Sequence, residues 1–401
     1  MNTIPNKVII WAGDDFNILG LLRELVPFGI DVLFLVKGKP SYASKSKYNK
    51  NMVSVSNNDE ALQYLLKNFK QETYKPIILT SGDGIMVFID QHKEELEPYF
   101  ILSGTKEKGL QEKYTDKNTM TELAKQLGIL CPKSVFVNKN SDVSGWSYPC
   151  IIKPAHQKPG HYNEFKFKIC NDESALKHTL SMVHPDSEFI LQQYINKEHD
   201  ILVYGARMVD GRTVLAGIFV RDRLAVSGSS SFGHIYNLED VPTSIKNSID
   251  IEKIALYLEK IDYKGLFSFE YGYVDGKSYF YEVNLRNDGT SHYFYQLGAN
   301  IPLAFVHSCV GKDYSKIQTQ VERAGCFIDE VFDIENVFHR RITMKQWKQS
   351  MKEADVFKYY SPEDQEPWKF VKKGRLKQMF QDIVLAKYRL YVVYLMDKFK
   401  R

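Results

Sequence analysis

Acids, an amide, a guanidinium and small residues converge in one stretch of this chain, Gly265 to Ser291, which reads GLFSFEYGYVDGKSYFYEVNLRNDGTS. Apolar and aromatic residues are frequent along Leu266 to Tyr273 and again along Ser278 to Val283, with Asp275-Gly276 between them, which predicts a β-hairpin. On its second strand Glu282 and Asn284 are two apart and share a face, while Tyr281 and Val283 point the other way. Glu270 stands on the first strand, close to opposite Glu282. Two carboxylates and an amide oxygen on one wall are the hard oxygen ligands that Mg²⁺ takes, the rest of its octahedron coming from phosphate and water. A strict two-residue turn at Asp275-Gly276 works against this, because it pairs Phe269 with Glu282 and throws Glu270 onto the opposite face. The metal wall therefore requires a loop of odd count or a β-bulge. Failing both, the stretch is a surface hairpin with two solvated glutamates.

The elements that would position this wall belong to a chain of 401 residues, enough for about two to three domains with ample core. Hydrophobic residues at 44% and charged residues at 25% match a soluble globular protein. The formal charge of +4 is too small to invoke nucleic acid, and no DNA- or RNA-binding signature is present in the sequence. Five cysteines, Cys131, Cys150, Cys170, Cys309 and Cys326, are scattered without CxxC spacing and indicate neither a disulfide framework nor a zinc site. A reducing cytoplasm fits them best. The stretch MNTIPNKVIIWAGDD lacks the long apolar core of a signal peptide, and no run of about 18 apolar residues occurs.

In chain order, Lys7 to Gly13 is a short buried strand, Ile18 to Leu25 is helix-like and Ile30 to Val36 is a second strand. This β-α-β opening, with Gly13 at the turn, suits a doubly wound parallel sheet but lacks GxGxxG, so it carries no dinucleotide claim. Glu60 to Phe69 reads as a helix and Pro76 to Thr80 as a strand, with Ser81-Gly82-Asp83-Gly84 as a loop at its carboxyl end, where such sheets bind ligands. The pattern turns polar from Lys106, and the first boundary falls near residue 112. Asn118 to Leu127 looks helical and stops at Gly128 with Pro132 beyond. Lys117 stands at its amino end, where the helix dipole disfavours a cation that has no anion to meet. A short apolar strand then ends in Lys153, followed by a polar loop with His156, Lys158, Gly160 and His161; the two histidines lack a third ligand and make no metal site. A second Asp-Gly hairpin at Asp210-Gly211 leads into Arg221-Asp-Arg223 and a small-residue loop through Ser230 to Gly233. Ile251 to Ile261 carries one apolar helical face.

In order, Asp116-Lys117, IIKPA around Lys153, ILQQYI around Gln193, Asp200, Glu270, EVNLR from Glu282 to Arg286 and then GTS resemble the ATP-grasp superfamily. The most specific of these is EVN following a DG hairpin. Within the superfamily the chain is similar to carboxylate-amine ligases of the D-aspartate ligase and D-alanine–D-alanine ligase type. The resemblance implies an α/β architecture, an ATP-grasp fold preceded by a doubly wound parallel domain: residues 1–112 as that domain, 113–195 as the small lobe, 196–315 as the large lobe with the metal site, and 316–401 as a partly helical, basic C-terminal extension. It implies that Lys117 and Lys153 approach the ATP phosphates, that the connector Gln192, Gln193, Tyr194 and Ile195 meets adenine, and that Asp200 accepts the ribose hydroxyls. Glu270, Glu282 and Asn284 would hold Mg²⁺, or Mn²⁺ in its place, with Arg286 and Lys153 acting on the reacting phosphates. Two departures from relatives are the single glycine in the loop after Lys153 and Gln193 in place of glutamate.

The chemistry implied is activation of a carboxylate by the γ-phosphoryl group, then attack of an amine on the acylphosphate, which requires charge screening and alignment but no nucleophilic side chain. Arg221 and Arg223, with Ser230 in the loop after them and Gly289 and Thr290 in GTS, are the expected substrate-binding residues, guanidinium being suited to a bidentate carboxylate. Solvated arginines at a strand end are the plain alternative. An ATP-grasp carboxylase or kinase, and a nucleotide-binding regulator without turnover, are the competing readings. Residues 376–399 form a basic amphipathic pattern that packs on its own domain, on a second subunit, or at the inner face of a membrane.

Overall fold

The computed structural model describes residues 3–155, 165, 167–378 and 381. Five parallel strands open the chain: β1 (Val8–Ala12), β2 (Val32–Lys37), β3 (Met52–Val55), β4 (Ile77–Leu79) and β5 (Ile101–Leu102), in the order β3-β2-β1-β4-β5. The run VIIWA is buried at every position, as a strand covered on both faces must be. Val8 and Ile10 face one core with the helix Phe16–Leu25, and Ile9 and Trp11 face another beneath the helix Asn58–Phe69. Asp15 starts the first of these helices by accepting from the Asn17 and Ile18 amides. The doubly wound opening stands as expected; the edge strands β3 and β5 are too short and too exposed to show in the sequence pattern.

A two-residue strand, β6 (Gly104–Thr105), pairs with the large sheet described below. The small lobe is an antiparallel sheet of β7 (Ser134–Val137), β8 (Cys150–Pro154), β9 (Lys168–Cys170) and β10 (Phe189–Gln193), in the order β7-β10-β8-β9. The loop after Lys153, with His156, Lys158, Gly160 and His161, lies outside the described residues.

The large lobe places β11 (His199–Arg207), β12 (Thr213–Leu224), β13 (Ser230–Tyr236), β14 (Tyr263–Val274) and β15 (Lys277–Asn284) in one antiparallel sheet. Beyond β13 it continues into β16 (Gly325–Ile328) and β17 (Val356–Phe357). The expected boundary at 315/316 therefore does not fall at an edge, since the chain after residue 316 completes the same sheet. Alternation splits its residues between two cores. Ile201, Val203, Phe267 and Phe269 pack under the helix Ile251–Lys260, whereas Leu202, Tyr204 and Leu266 meet the first domain.

The C-terminal part is stitched back across the first domain. Arg23 donates to Asp364 at 2.9 Å with both side chains buried, and Asp364 also accepts from Ser46 Oγ and the Lys47 amide. Residues 366–378 are helical, and the remainder of the amphipathic 376–399 segment lies outside the described residues apart from residue 381. Among the described residues no helix is long and apolar enough to cross a membrane.

Next to Arg23, Glu24 is fully buried, with Ser291 Oγ donating to one oxygen at 3.1 Å and the other oxygen without a partner. Burial pushes its carboxyl up to about 8. A folded-state value above the unfolded one stabilises fully below the unfolded value of 4.5 and loses that contribution as pH rises through about 8. Glu24→Gln is therefore expected to flatten the fall of melting temperature between about pH 5 and pH 9. Parallel curves for the two proteins would show that Glu24 is not the group responsible.

Candidate active site

The hairpin turn is the strict two-residue type, with Asp275 at φ +49° and Gly276 at φ +73°. From Val274↔Lys277 the ladder runs regularly to Tyr271↔Phe280 and then shifts, so that Glu270 pairs with Glu282, Phe269 with Val283 and Ser268 with Asn284. Tyr281 is the extra residue. Of the two devices that could bring both glutamates to one face, the structure uses the bulge. It also corrects the expected direction of Tyr281, which lines the same cavity as the glutamates instead of pointing away with Val283. Its ring lies over Gly272, where an added Cβ would come within 2.3 Å of the Tyr281 hydroxyl, so glycine is what leaves room for the ring.

Directly opposed like charges are costly unless neighbours neutralise them, and here each glutamate has its own cation. Arg221 Nη2 donates to Glu270 Oε2 at 2.7 Å, and Lys117 Nζ to Glu282 Oε2 at 2.6 Å. Asn284 Nδ2 donates to Glu270 Oε1 at 3.3 Å and to Ser268 Oγ at 3.1 Å, while Asn284 Oδ1 accepts from Arg286 at 3.2 Å. Burial raises the Glu270 carboxyl above its ordinary value, opposed chiefly by the Arg221 charge. Lys117 begins the helix Lys117–Gln126, whose Met120 and Ala124 enter the core under the sheet; Leu130 O, just beyond it, accepts from the Phe280 amide at 2.8 Å. Asp116 caps the helix by accepting from the Asn118 and Thr119 amides, and Glu282 is the anion that the Lys117 side chain itself meets.

Across the cleft, Lys153 on β8 is half-buried and donates to Gln192 Oε1 at 3.2 Å, with the Glu282 charge acting on it without a hydrogen bond. Burial, then the Lys117 charge, lowers its pKa. Asp200 is held by Lys197 at 2.5 Å, with Arg221 at 3.9 Å.

Lys117, Lys153, Gln192, Asp200, Arg221, Glu270 and Glu282 thus line one cavity of about 430 Å³, with Asn284 and Arg286 bonded to its wall. Lys197 and Tyr281 also line it and were missed by sequence reasoning, although Lys197 lies only three residues before Asp200. Asp83 was missed as a partner; the expected loop 81–84 is shorter than read, Asp83 being the first residue of the helix Asp83–Gln91, from which it grips Arg286 at 2.5 and 3.3 Å and ties the first domain to the wall.

Other expected residues lie elsewhere. Gln193 alternates away from Gln192 and pairs with the Lys133 backbone, and Tyr194 and Ile195 do not line the cavity. Arg223 is corrected as a substrate clamp, because its fork is filled by the fully buried Asp333 at 2.9 and 2.7 Å. Ser230 pairs with Leu224, which lines the cavity together with Gly228, but Ser230 itself does not line it. Gly289 packs against the Phe16 ring, and Thr290 Oγ1 donates to Asp288 at 2.7 Å, which places both at the junction with the first domain.

Among the described residues no group of three or more His, Cys, Asp or Glu could hold a metal alone. Two carboxylates and an amide oxygen on one face instead fit a cation that completes its shell with phosphate oxygens and water. The donor set is compatible with Mg²⁺ delivered alongside a polyphosphate.

No family model matches the chain. It is 22% identical to a D-aspartate ligase of Enterococcus faecium (strain Aus0004) over 345 residues, 75% of this chain and 76% of the relative. Among solved structures it is similar to N5-carboxyaminoimidazole synthetase from Staphylococcus aureus, with a TM-score of 0.65, 13% identity and coverage of 85% of this chain and 88% of that one. An L-amino acid ligase from Bacillus licheniformis gives a TM-score of 0.59 at 14% identity, covering 80% and 79%. These likenesses bear out the ATP-grasp fold that the motifs imply.

Proposed function

We propose that this ATP-grasp chain is an ADP-forming carboxylate-amine ligase, joining an amino acid or similar carboxylate to an amine. The observation that carries the reading is the opposed pair Glu270 and Glu282, set among Lys117, Lys153, Arg221 and Arg286 in a cavity whose described lining includes no cysteine or histidine. Such a site neutralises and aligns charged reactants; it offers no covalent relay. Kinship in sequence with a D-aspartate ligase supports the ligase reading over a kinase.

In this reading Lys153 and Lys117 receive the phosphates, Asp200 faces the ribose, and Gln192 lies nearest the base. Glu270, Glu282 and Asn284 would hold Mg²⁺, or Mn²⁺, which when bound screens the charge of the β- and γ-phosphates. Arg221 is committed to Glu270 and serves the wall. Arg286, held by Asp83 at the carboxyl end of the first sheet, marks the side from which acid and amine enter. A carboxylate oxygen attacks the γ-phosphorus and ADP leaves. The amine nitrogen then attacks the acyl carbon, phosphate leaves with that oxygen, and the amine loses a proton.

Oxygen-18 placed in the acid's carboxylate is therefore expected in the released phosphate, one atom per productive turnover. A kinase would retain the label in a stable phosphorylated product, and a binding protein would transfer none. Unlabelled phosphate from a turnover that yields the amide would exclude the acylphosphate route.

A further inference from the structure

The wall's acceptor atoms are largely engaged within the protein itself. Glu270 Oε2 is taken by Arg221 and Oε1 by Asn284, Glu282 Oε2 by Lys117, and Asn284 Oδ1 by Arg286. Counting Glu122, which also lines the cavity, four carboxylates face four cations, Lys117, Lys153, Lys197 and Arg221. A divalent cation entering alone would unbalance this set in one direction. ATP alone, with about four negative charges, would unbalance it in the other. The two together leave roughly half the imbalance that ATP alone would create.

We infer that Lys117 is an exchangeable counter-cation: nucleotide phosphates draw it off Glu282, and only then does the wall accept a divalent metal. This rests on the nucleotide site proposed above. Lys117 is the group that moves for three reasons. Its side chain is 56% exposed, whereas that of Arg221 is 14% exposed and lies near both Glu270 and Asp200. Its ammonium is a point charge on a flexible stem, able to follow an anion, where the guanidinium is a planar fork. It also sits at a helix amino end whose capping carboxylate, Asp116, is already engaged by the Asn118 and Thr119 amides, so on leaving Glu282 it is best met by a further anion, which a phosphate supplies. Metal and nucleotide affinities are then coupled, each raising the other by the same factor.

Mn²⁺ reports this through its electron paramagnetic resonance signal, without turnover. For the wild-type chain, Mn²⁺ is expected to bind at least about tenfold more tightly with ADP present than without it. Lys117→Met, which keeps the stem and removes the charge, is expected to bind Mn²⁺ without nucleotide about tenfold more tightly than wild type does. Lys153→Met, removing a cation that acts on Glu282 only through space and occupies none of the wall's acceptor atoms, should raise nucleotide-free Mn²⁺ binding far less than Lys117→Met does. Equal wild-type binding with and without ADP would overturn the inference, as would no gain in Lys117→Met or an equal gain in Lys153→Met. Failure of ADP itself to raise the wild-type melting temperature would instead strike at the nucleotide site and the ligase reading.

Discussion

Glu282→Gln is expected to lower ATP turnover by roughly 10²–10³-fold while leaving the fold in place, the loss typical of removing one group that stabilises developing charge. The substitution keeps the shape of the side chain and its place in the ladder opposite Glu270, and removes only the charge. Its stability cost should be small, because the pair it breaks is between side chains 56% and 30% exposed, and such pairs contribute about 0–1 kcal/mol. Glu270→Gln is the informative companion. It weakens the partner of a guanidinium that is itself largely buried, so it should cost stability as well as turnover. ADP release across a range of Mg²⁺ concentrations, together with melting curves, separates the two effects. Wild-type turnover in Glu282→Gln would dismiss the wall as a metal site.

Lys153→Met is expected to move two observables in opposite directions. A half-buried ammonium with one amide oxygen as its hydrogen-bond partner, its pKa lowered by desolvation and the Lys117 charge more than Glu282 raises it, is a charge that the folded chain tolerates at a cost. For a cation whose folded pKa lies below its unfolded one, stability is present above the unfolded value and is lost as pH falls through the folded value. Near neutral pH the lysine is then a net burden, and methionine, with nearly the same stem, should raise the melting temperature of the nucleotide-free protein. The same change should abolish most of the rise that ATP or ADP produces, since the phosphates lose the cation poised for them. A lysine at a strand end with no role in the site would give neither response, and retention of the full nucleotide-induced rise would remove Lys153 from the site.

How far the sequence carried the reading can be judged residue by residue. The wall was legible because its parts are local: Glu270, Glu282 and Asn284 share one hairpin, and the mismatch between a two-residue turn and a shared face identified the need for a bulge. Which residue would bulge was not legible, because it depends on Tyr281 finding room over Gly272, a contact across strands. Lys117 could be marked as wanting an anion from the helix dipole alone, but the anion itself is 165 residues away. Arg223 failed for a related reason. Its true partner, Asp333, lies 110 residues on, in a segment whose composition suggested a separate extension. The strands β16 and β17 were hidden by brevity, four and two residues giving no period to read. The first domain was the easiest part, since strands buried on both faces announce themselves as unbroken apolar runs.

The ion pair between Arg23 and Asp364 also bears on the order in which the chain can finish its structure. Arg23 lies in the first helix, and its acid arrives 341 residues later. At ribosomal rates of about 5–20 residues per second, that interval is roughly 17–70 s, during which the first sheet can form while a guanidinium meant for its interior has no counter-charge. Asp364 serves three donors at that junction, Arg23, Ser46 and Lys47. The first sheet is thus closed only by a segment made long after it, so its junction cannot form until the chain has been extended past Asp364.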